Sequence, residues 1–386
     1  MVGGCLRSPG LTWALGAFMA TTSLGAAGAG PADASQTSGD SFGLVITDLY
    51  FGIHQTQDAK DCPQGLNSTH RTNYLKQFPT YTARTANDLK YGYGYVNRGP
   101  NGENALYSPE VVVDPIPYNL AIGAIAPGIN LDGKADANDF VSPDGRTGID
   151  NQMQRVLGCV GGFRGPGGFF YQAGNAQIRS LRVNRLMFEI SRVDDLRNDP
   201  DVTVRSYRGL DPIISGAGDK AVAGTTQRVD YERGRRYMSE TTGRIVDGVL
   251  VTEPVDLRVP WVRGTNPCCE VAYTNEFTLR AMQLRVKLTP TGGEGEIAGF
   301  ADLELWWNWF ARGWAAGSVI ETMGATGPSM WSALKEQADA YPDQRGVNTA
   351  ISTTLSARFT RVIVAHGDNS APSPQVASKA HQEVSR

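Results

Sequence analysis

The chain has almost no excess of charge of either sign. Its 36 Lys and Arg nearly balance 39 Asp and Glu, for a formal net charge of −3. That excludes the basic excess of a nucleic-acid protein. Histidine is scarce and scattered, at His54, His70, His366 and His381, and no CxxC, CxxCH or HExxH occurs, so neither zinc nor haem ligation is indicated. There is no GxSxG nucleophile elbow. The glycine run GCVGGFRGPGGFF lacks the Lys-Ser/Thr of a phosphate loop. Ser332 and Lys335 match S-x-x-K, but the KTG and SDN companions of serine acyl-enzymes are missing, and a solvent-facing helix turn explains the pair.

A long apolar run occurs only once, at the start. Arg7 precedes the apolar stretch Leu11–Ala29, and small residues follow in PADASQ. This pattern predicts a secretory signal peptide over residues 1–34, cut before Ser35 or, alternatively, near Ala29. Thr21, Thr22 and Ser23 interrupt the run and make it a poor permanent span. Cys5 lies upstream of it, which argues against a lipid anchor. The expected mature chain of about 350 residues has no transmembrane span, is secreted, periplasmic or extracellular, and is long enough for one large domain or two ordinary ones.

Four cysteines remain, Cys62, Cys159, Cys268 and Cys269, and two disulfides are expected in an oxidising compartment. A bond between adjacent cysteines closes a strained ring. The expected pairs therefore join Cys62 and Cys159 each to one member of Cys268–Cys269.

The pattern divides the mature chain at about Gln177. Residues 35–176 read as an irregular N-terminal region that opens with one strand in FGLVITDLYFGI and carries a Tyr91, Tyr93, Tyr95 alternation, which suits a packed aromatic loop better than a binding face. A short helix is expected in DNQMQRVLGC, with Asp150 as cap and Gly158 as stop. Residues 177–366 read as a β domain. Apolar and polar residues alternate in QIRSLRVNRLMFEISRV, VTVRSYR, RYMSETTGRIVDGVLVTEPVDLRVPWV, EFTLRAMQLRVKLTP and AISTTLSARFTRVIVAH, with turn residues between. Arg179, Arg182, Arg185, Arg192, Arg205 and Arg208 read as a solvated face, neutralised by Asp194, Asp195, Asp199 and Asp201. Residues 367–386 read as a disordered tail.

Two helices interrupt the strands. In GFADLELWWNWFARGW, Asp302 caps a helix whose Leu303, Trp306, Trp307, Phe310 and Trp314 form one apolar stripe, packed on a sheet. As a strand the same segment would instead set Trp307 and Trp309 on one face, as a sugar-stacking platform. A second helix in SMWSALKEQADAY stops at Pro342. Repeated short strands without regular alternation with helices give the expected fold: an antiparallel β-sandwich, jelly-roll-like, with two covering helices.

One loop concentrates oxygen ligands. INLDGKADANDFVSPDGRTGIDNQ, residues 129–152, holds Asp132, Asp136, Asn138, Asp139, Asp144 and Asp150 between glycines. Calcium takes six to eight oxygens, so this density suits it. Residues 130–150 resemble the calcium loops of dockerins and thrombospondin type 3 repeats. That resemblance implies a calcium site on these six residues, although Lys134 and Ala135 stand where an EF-hand needs a ligand and a glycine. Asx-turns and helix caps account for the same residues equally well.

The function expected is that of a binding or structural module of the cell envelope or exterior, with carbohydrate as its ligand and no recognisable catalytic motif. The alternative is a polysaccharide hydrolase working through paired carboxylates, for which Glu294, Glu296, Asp302 and Glu304 are candidates. Two acids of raised pKa facing each other in the largest cleft would favour the hydrolase.

Overall fold

The computed structural model describes residues 40–67, 100–103, 107–111, 117–180, 184–261, 277–310 and 327–367. The expected signal segment, Tyr91–Tyr95, Arg182, Cys268, Cys269, Trp314 and the residues beyond Gly367 lie outside them.

The strands are β1 (Asp40–Phe51), β2 (Leu186–Val193), β3 (Asp199–Arg208), β4 (Thr225–Arg228), β5 (Ser239–Val246), β6 (Val249–Thr252), β7 (Val255–Val259), β8 (Phe277–Thr289), β9 (Gly292–Asp302), β10 (Ala340–Pro342) and β11 (Asn348–Ala365). Pairing runs β1-β2-β3-β5-β6-β8-β9-β11, and β11 returns to β1, with every step antiparallel. The fold is therefore a closed barrel of 8 antiparallel strands, not the expected sandwich. Alternation looks the same in both; what decides is that β1 hydrogen-bonds on both edges, to β2 and to β11, so no open edge separates two sheets. Consecutive staves mostly follow one another in the chain. The largest insertion, residues 52–185, separates β1 from β2.

The inward row is largely apolar, with Ser206 and Thr353 its buried hydroxyls. Leu44 and Ile46, Phe188 and Ile190, Val202 and Val204, Leu284 and Val286, Ile297, Leu355 and Phe359 belong to one continuous buried cluster. Each such side chain contributes about 1.5–3 kcal/mol on burial. Outward positions of β8 are Arg285 and Lys287, alternating with buried Leu284 and Val286. A barrel that spans a bilayer has the opposite sense, apolar outside and polar inside. Among the described residues no helix is long and apolar enough to cross a membrane.

One end of the barrel is closed by aromatic rings. The helix Leu303–Phe310 forms as its spacing predicts, with Leu305 N–H donating to the Asp302 carboxylate at its N-terminus. Trp306, Trp309 and Phe310 pack with Phe51, Phe163, Phe170, Trp261 and Phe277, and the Trp309 indole donates to the Trp261 carbonyl at 2.6 Å. Trp307 and Trp309 are 0% exposed, which removes them as a sugar platform. Towards the opposite end the Arg361 guanidinium lies over the Phe42 ring, 4.4 Å from its centroid.

Two local expectations change, and one strand appears that no expectation covered. Gln177–Ser180 ends a helix, Phe169–Ser180, whose Phe170, Gly174 and Ile178 repeat every fourth residue on the buried side; the strand begins only at Leu186. The segment TGGEGE lies almost wholly in β9. A Cβ at Gly295 would lie 2.0 Å from the Arg285 carbonyl oxygen, so glycine there is what lets the strands approach. The helix Gly327–Glu336 stops before Pro342, which sits in β10.

The cysteine pairing also differs. Cys62 bonds Cys159, with Cα atoms 5.7 Å apart. A backbone hydrogen bond from Asn67 N–H to the Cys159 carbonyl, 2.7 Å, joins the same two segments. Arg164 is buried alongside, paired with Asp61 at 2.7 Å and Asp58 at 2.9 Å. Burial raises the Asp61 pKa, but hydrogen bonds from Thr56 and Arg164 outweigh it and hold the carboxyl below the usual range.

Candidate functional site

A cavity of about 650 Å³ opens on the outer wall of the barrel where β1, β11 and β9 run side by side. Its origin is a bulge. The register of β1 on β11 shifts between Ile46 and Asp48, so Thr47 and Asp48 both face outward and both line the cavity. The freed Leu49 N–H donates to Asn175 Oδ1 on the helix Phe169–Ser180, at 2.7 Å. That helix delivers Arg179, which pairs with the buried Asp48 at 2.9 Å and also binds Asp219.

Asp219 belongs to a short hairpin that forms the far side. Gly216 N–H donates to the Lys220 carbonyl and Val222 N–H to that of Ile214, both at 2.8 Å. Gly218 and Asp219 take φ of 71° and 57°, the left-handed conformation such a tip demands. Arg179 thus ties wall and hairpin together, and the cavity is held open by bonded groups on both sides. The lining adds the hydroxyls of Ser215, Thr289, Thr291 and Thr360 and the charged groups of Lys220, Glu294 and Arg358. Asp48, Arg358 and Glu294 are register partners across three adjacent strands.

The acidic loop packs elsewhere on the same wall. Ile129 bridges Asp150 and Phe140 bridges Ile149, closing residues 129–150 into a compact loop. Its oxygens are largely used on its own backbone. Asn130 Oδ1 accepts from Gly133 N–H at 2.7 Å and Asp132 from Lys134 N–H at 2.8 Å; Asp139 accepts from Asp136 N–H. Asn138 serves through its carbonyl, which accepts from Gln152 Nε2 at 3.0 Å. Asp144 turns away to Arg146 at 3.0 Å and Arg285 at 3.3 Å; although burial raises its pKa, these partners and Ser142 bring it below the usual range. Asp150 is no helix cap: the first turn at Met153–Leu157 has no side-chain cap, and the Asp150 carboxylate accepts from Leu131 N–H at 2.6 Å.

Three of the six expected ligands do converge electrostatically. Burial, then Asp132, Asp139 and Asp339, push the Asp150 pKa up to about 6. Asp339 was not legible as a member, since it arrives from after the helix Gly327–Glu336. Its carboxylate accepts from Ser352 N–H at 2.8 Å and from the Ser352 hydroxyl; desolvation and Asp139 raise its pKa despite those bonds. Among the described residues no group of three or more His, Cys, Asp and Glu is gathered to hold a metal.

Of the candidate acids, Glu294 lines the cavity, and Glu296, Asp302 and Glu304 form no pair with one another. Asp302 caps its helix and binds Arg280 at 2.7 Å, and Glu304 is exposed. Glu296 is raised by burial and held by Arg146 at 3.2 Å and by Gly128 N–H. The acids whose pKa is raised, Asp150, Glu296 and Asp339, are absent from the cavity lining. Ser332 and Lys335 sit exposed on their helix. The strand arginines Arg192, Arg205 and Arg208 are each paired with an acid, which leaves no bare basic face there.

Fold and cavity together define an apolar-cored, up-and-down barrel with a polar, ligand-sized recess in its wall. Comparisons with family models, with curated proteins and with solved structures found no match to this chain.

Proposed function

We propose that the protein is a binding module of the cell envelope or exterior, that its ligand is a carbohydrate held in the wall cavity, and that calcium braces the acidic loop. The cavity carries the first part. Its volume lies in the range of small-ligand sites, and its lining combines Ser and Thr residues, acids and bases with Ile213, Ala221 and Phe359, the mix of hydrogen-bonding and apolar groups that a sugar ring presents in return. The Cys62–Cys159 bond supports an oxidising location. Thr291→Trp would fill the recess from an exposed turn position. A glycan array should retain the mature protein and not this variant, whose unfolding curve should match the wild type. Equal retention of both, or of neither, would remove the cavity as the binding site.

The hydrolase alternative draws on one observation, the carboxylates of Asp48 and Glu294 flanking Arg358. Two strand spacings separate their backbones by about 10 Å, just beyond the carboxyl spacing of an inverting pair, which side chains leaning towards each other would restore. Reducing-sugar release, measured on glycans that the array retains and compared with Glu294→Gln, separates turnover from binding. The calcium part is supported by the mutual repulsion of Asp132, Asp139, Asp150 and Asp339, which a bound divalent cation would relieve. Melting temperature should rise in millimolar calcium and fall with chelator; no change in either would rule the brace out.

A further inference from the structure

We infer that the ligand of the wall cavity is an acidic sugar, whose carboxylate is gripped by Arg358 and Lys220. The inference rests on the carbohydrate reading of that cavity and adds the ligand's charge.

Six charged side chains line the recess: Asp48, Arg179, Asp219, Lys220, Glu294 and Arg358. They fall into two sets. Arg179 binds both Asp48 and Asp219, so these three are already satisfied and serve as scaffold. Arg358, Lys220 and Glu294 have no ion-pair or hydrogen-bond partner for their side chains among the described residues, although Arg358 sits in register between Asp48 and Glu294. An arginine between two acids on neighbouring strands would ordinarily pair with one of them. Here Asp48 is claimed by Arg179, and Arg358 is an exposed residue of the cavity lining whose charge acts on the neighbouring Tyr50 without an ion pair. The open set carries two cations and one anion. A guanidinium binds a carboxylate through two parallel N–H donors, and a lysine ammonium adds a point charge. Glu294, as an acceptor, suits the hydroxyl donors of the same ligand. A hexuronate supplies a carboxylate and vicinal hydroxyls on one ring, which matches this division. Neutral hexoses would offer neither cation an opposite charge, and a dianionic phosphate would face Glu294.

Titration calorimetry on the full mature protein tests this with galacturonate, its neutral counterpart galactose, and inorganic phosphate. The wild type should bind galacturonate about tenfold more tightly than galactose, with an affinity that weakens as salt rises. Both Arg358→Gln and Lys220→Gln are exposed-site changes, and the double variant should bind the two sugars equally. A preference that survives in the double variant, equal binding of both sugars by the wild type, or phosphate outcompeting galacturonate would overturn the acidic-sugar inference while leaving the cavity as a binding site. Failure of the wild type to bind either sugar, with oligomers of both tried, would overturn the carbohydrate reading and this inference with it.

Discussion

The two faces of β11 are held by opposite means. Inward, Ile351, Leu355, Ala357 and Phe359 belong to the continuous apolar cluster, and the one hydroxyl among them, Thr353, donates to the Ile351 carbonyl of its own strand. Outward, Ser352 and Thr354 are equally buried, yet their partners are polar: Gln152 N–H donates to the Ser352 hydroxyl at 2.8 Å, and Thr354 N–H faces Asn151 Oδ1. Asn151 is the hub of this seam, its amide donating to the carbonyls of Gly52 and Pro127, both at 2.8 Å. The difference shows how the molecule separates two tasks. Non-directional burial holds the barrel, and directional bonds set the register of the irregular segment that carries the acidic loop. Apolar packing tolerates substitutions that conserve volume, whereas a hydrogen-bonded seam loses a whole desolvation penalty when one partner is removed.

The sharpest break in that contrast comes from the inside. Trp309→Ala should cost about 3–5 kcal/mol by leaving a cavity among the closing rings, read as a lower denaturation midpoint. A loss below about 1 kcal/mol would mean the aromatic end does not hold the barrel. Next, Cys62→Ser with Cys159→Ser removes a crosslink of sequence separation 97, expected to cost roughly 2–5 kcal/mol. Amide exchange should then show residues 117–160 opening before the barrel strands; simultaneous opening would erase the distinction between the two regions. On the seam itself, Asn151→Ala should cost about 2–3 kcal/mol, because buried carbonyls lose their donor, while Thr354→Val should cost less.

The smallest effect is the most specific. Asp150 has a folded pKa of about 6 against an ordinary 3.8, so between those values the folded state binds the extra proton. Its contribution to stability is therefore lost as pH rises from about 4 to 6 and stays lost above that. Asp150→Asn keeps an acceptor for Leu131 and should stabilise by about 1–2 kcal/mol at pH 7.5 in chelator, and by nothing at pH 3.5. In millimolar calcium the order should reverse. A variant that remains the more stable in calcium would exclude Asp150 from any cation site.

Much of the wall was legible and its closure was not. Alternation in EFTLRAMQLRVKLTP and AISTTLSARFTRVIVAH marked β8 and β11, and Asp302 with Trp306, Trp307 and Phe310 marked a helix. Alternation says which residues face inward, not which strand lies next door; the β1–β11 pairing joins residues such as Gly43 and Val362. Glycine concealed β9, because Gly292, Gly293 and Gly295 have no side chain with which to show a period. The disulfide followed from that same long-range topology. In the cavity, adjacent Thr47 and Asp48 inside an apolar strand were the one local sign of a bulge. Lys220 and Arg358 carried no signal, since their meaning lies in what Arg179 does to their neighbours.

The pairing of β1 with β11 also sets an order of events. The first stave cannot be sealed until residues 348–365 have left the ribosome, so each earlier intermediate keeps an exposed strand edge. Such a chain closes its barrel late, after its last stave is made. The same neighbourhood of first and last staves makes the barrel a natural subject for circular permutation: a short linker from the end of β11 to the start of β1, with new termini in the Asp247–Gly248 turn, should leave the ring of strands intact.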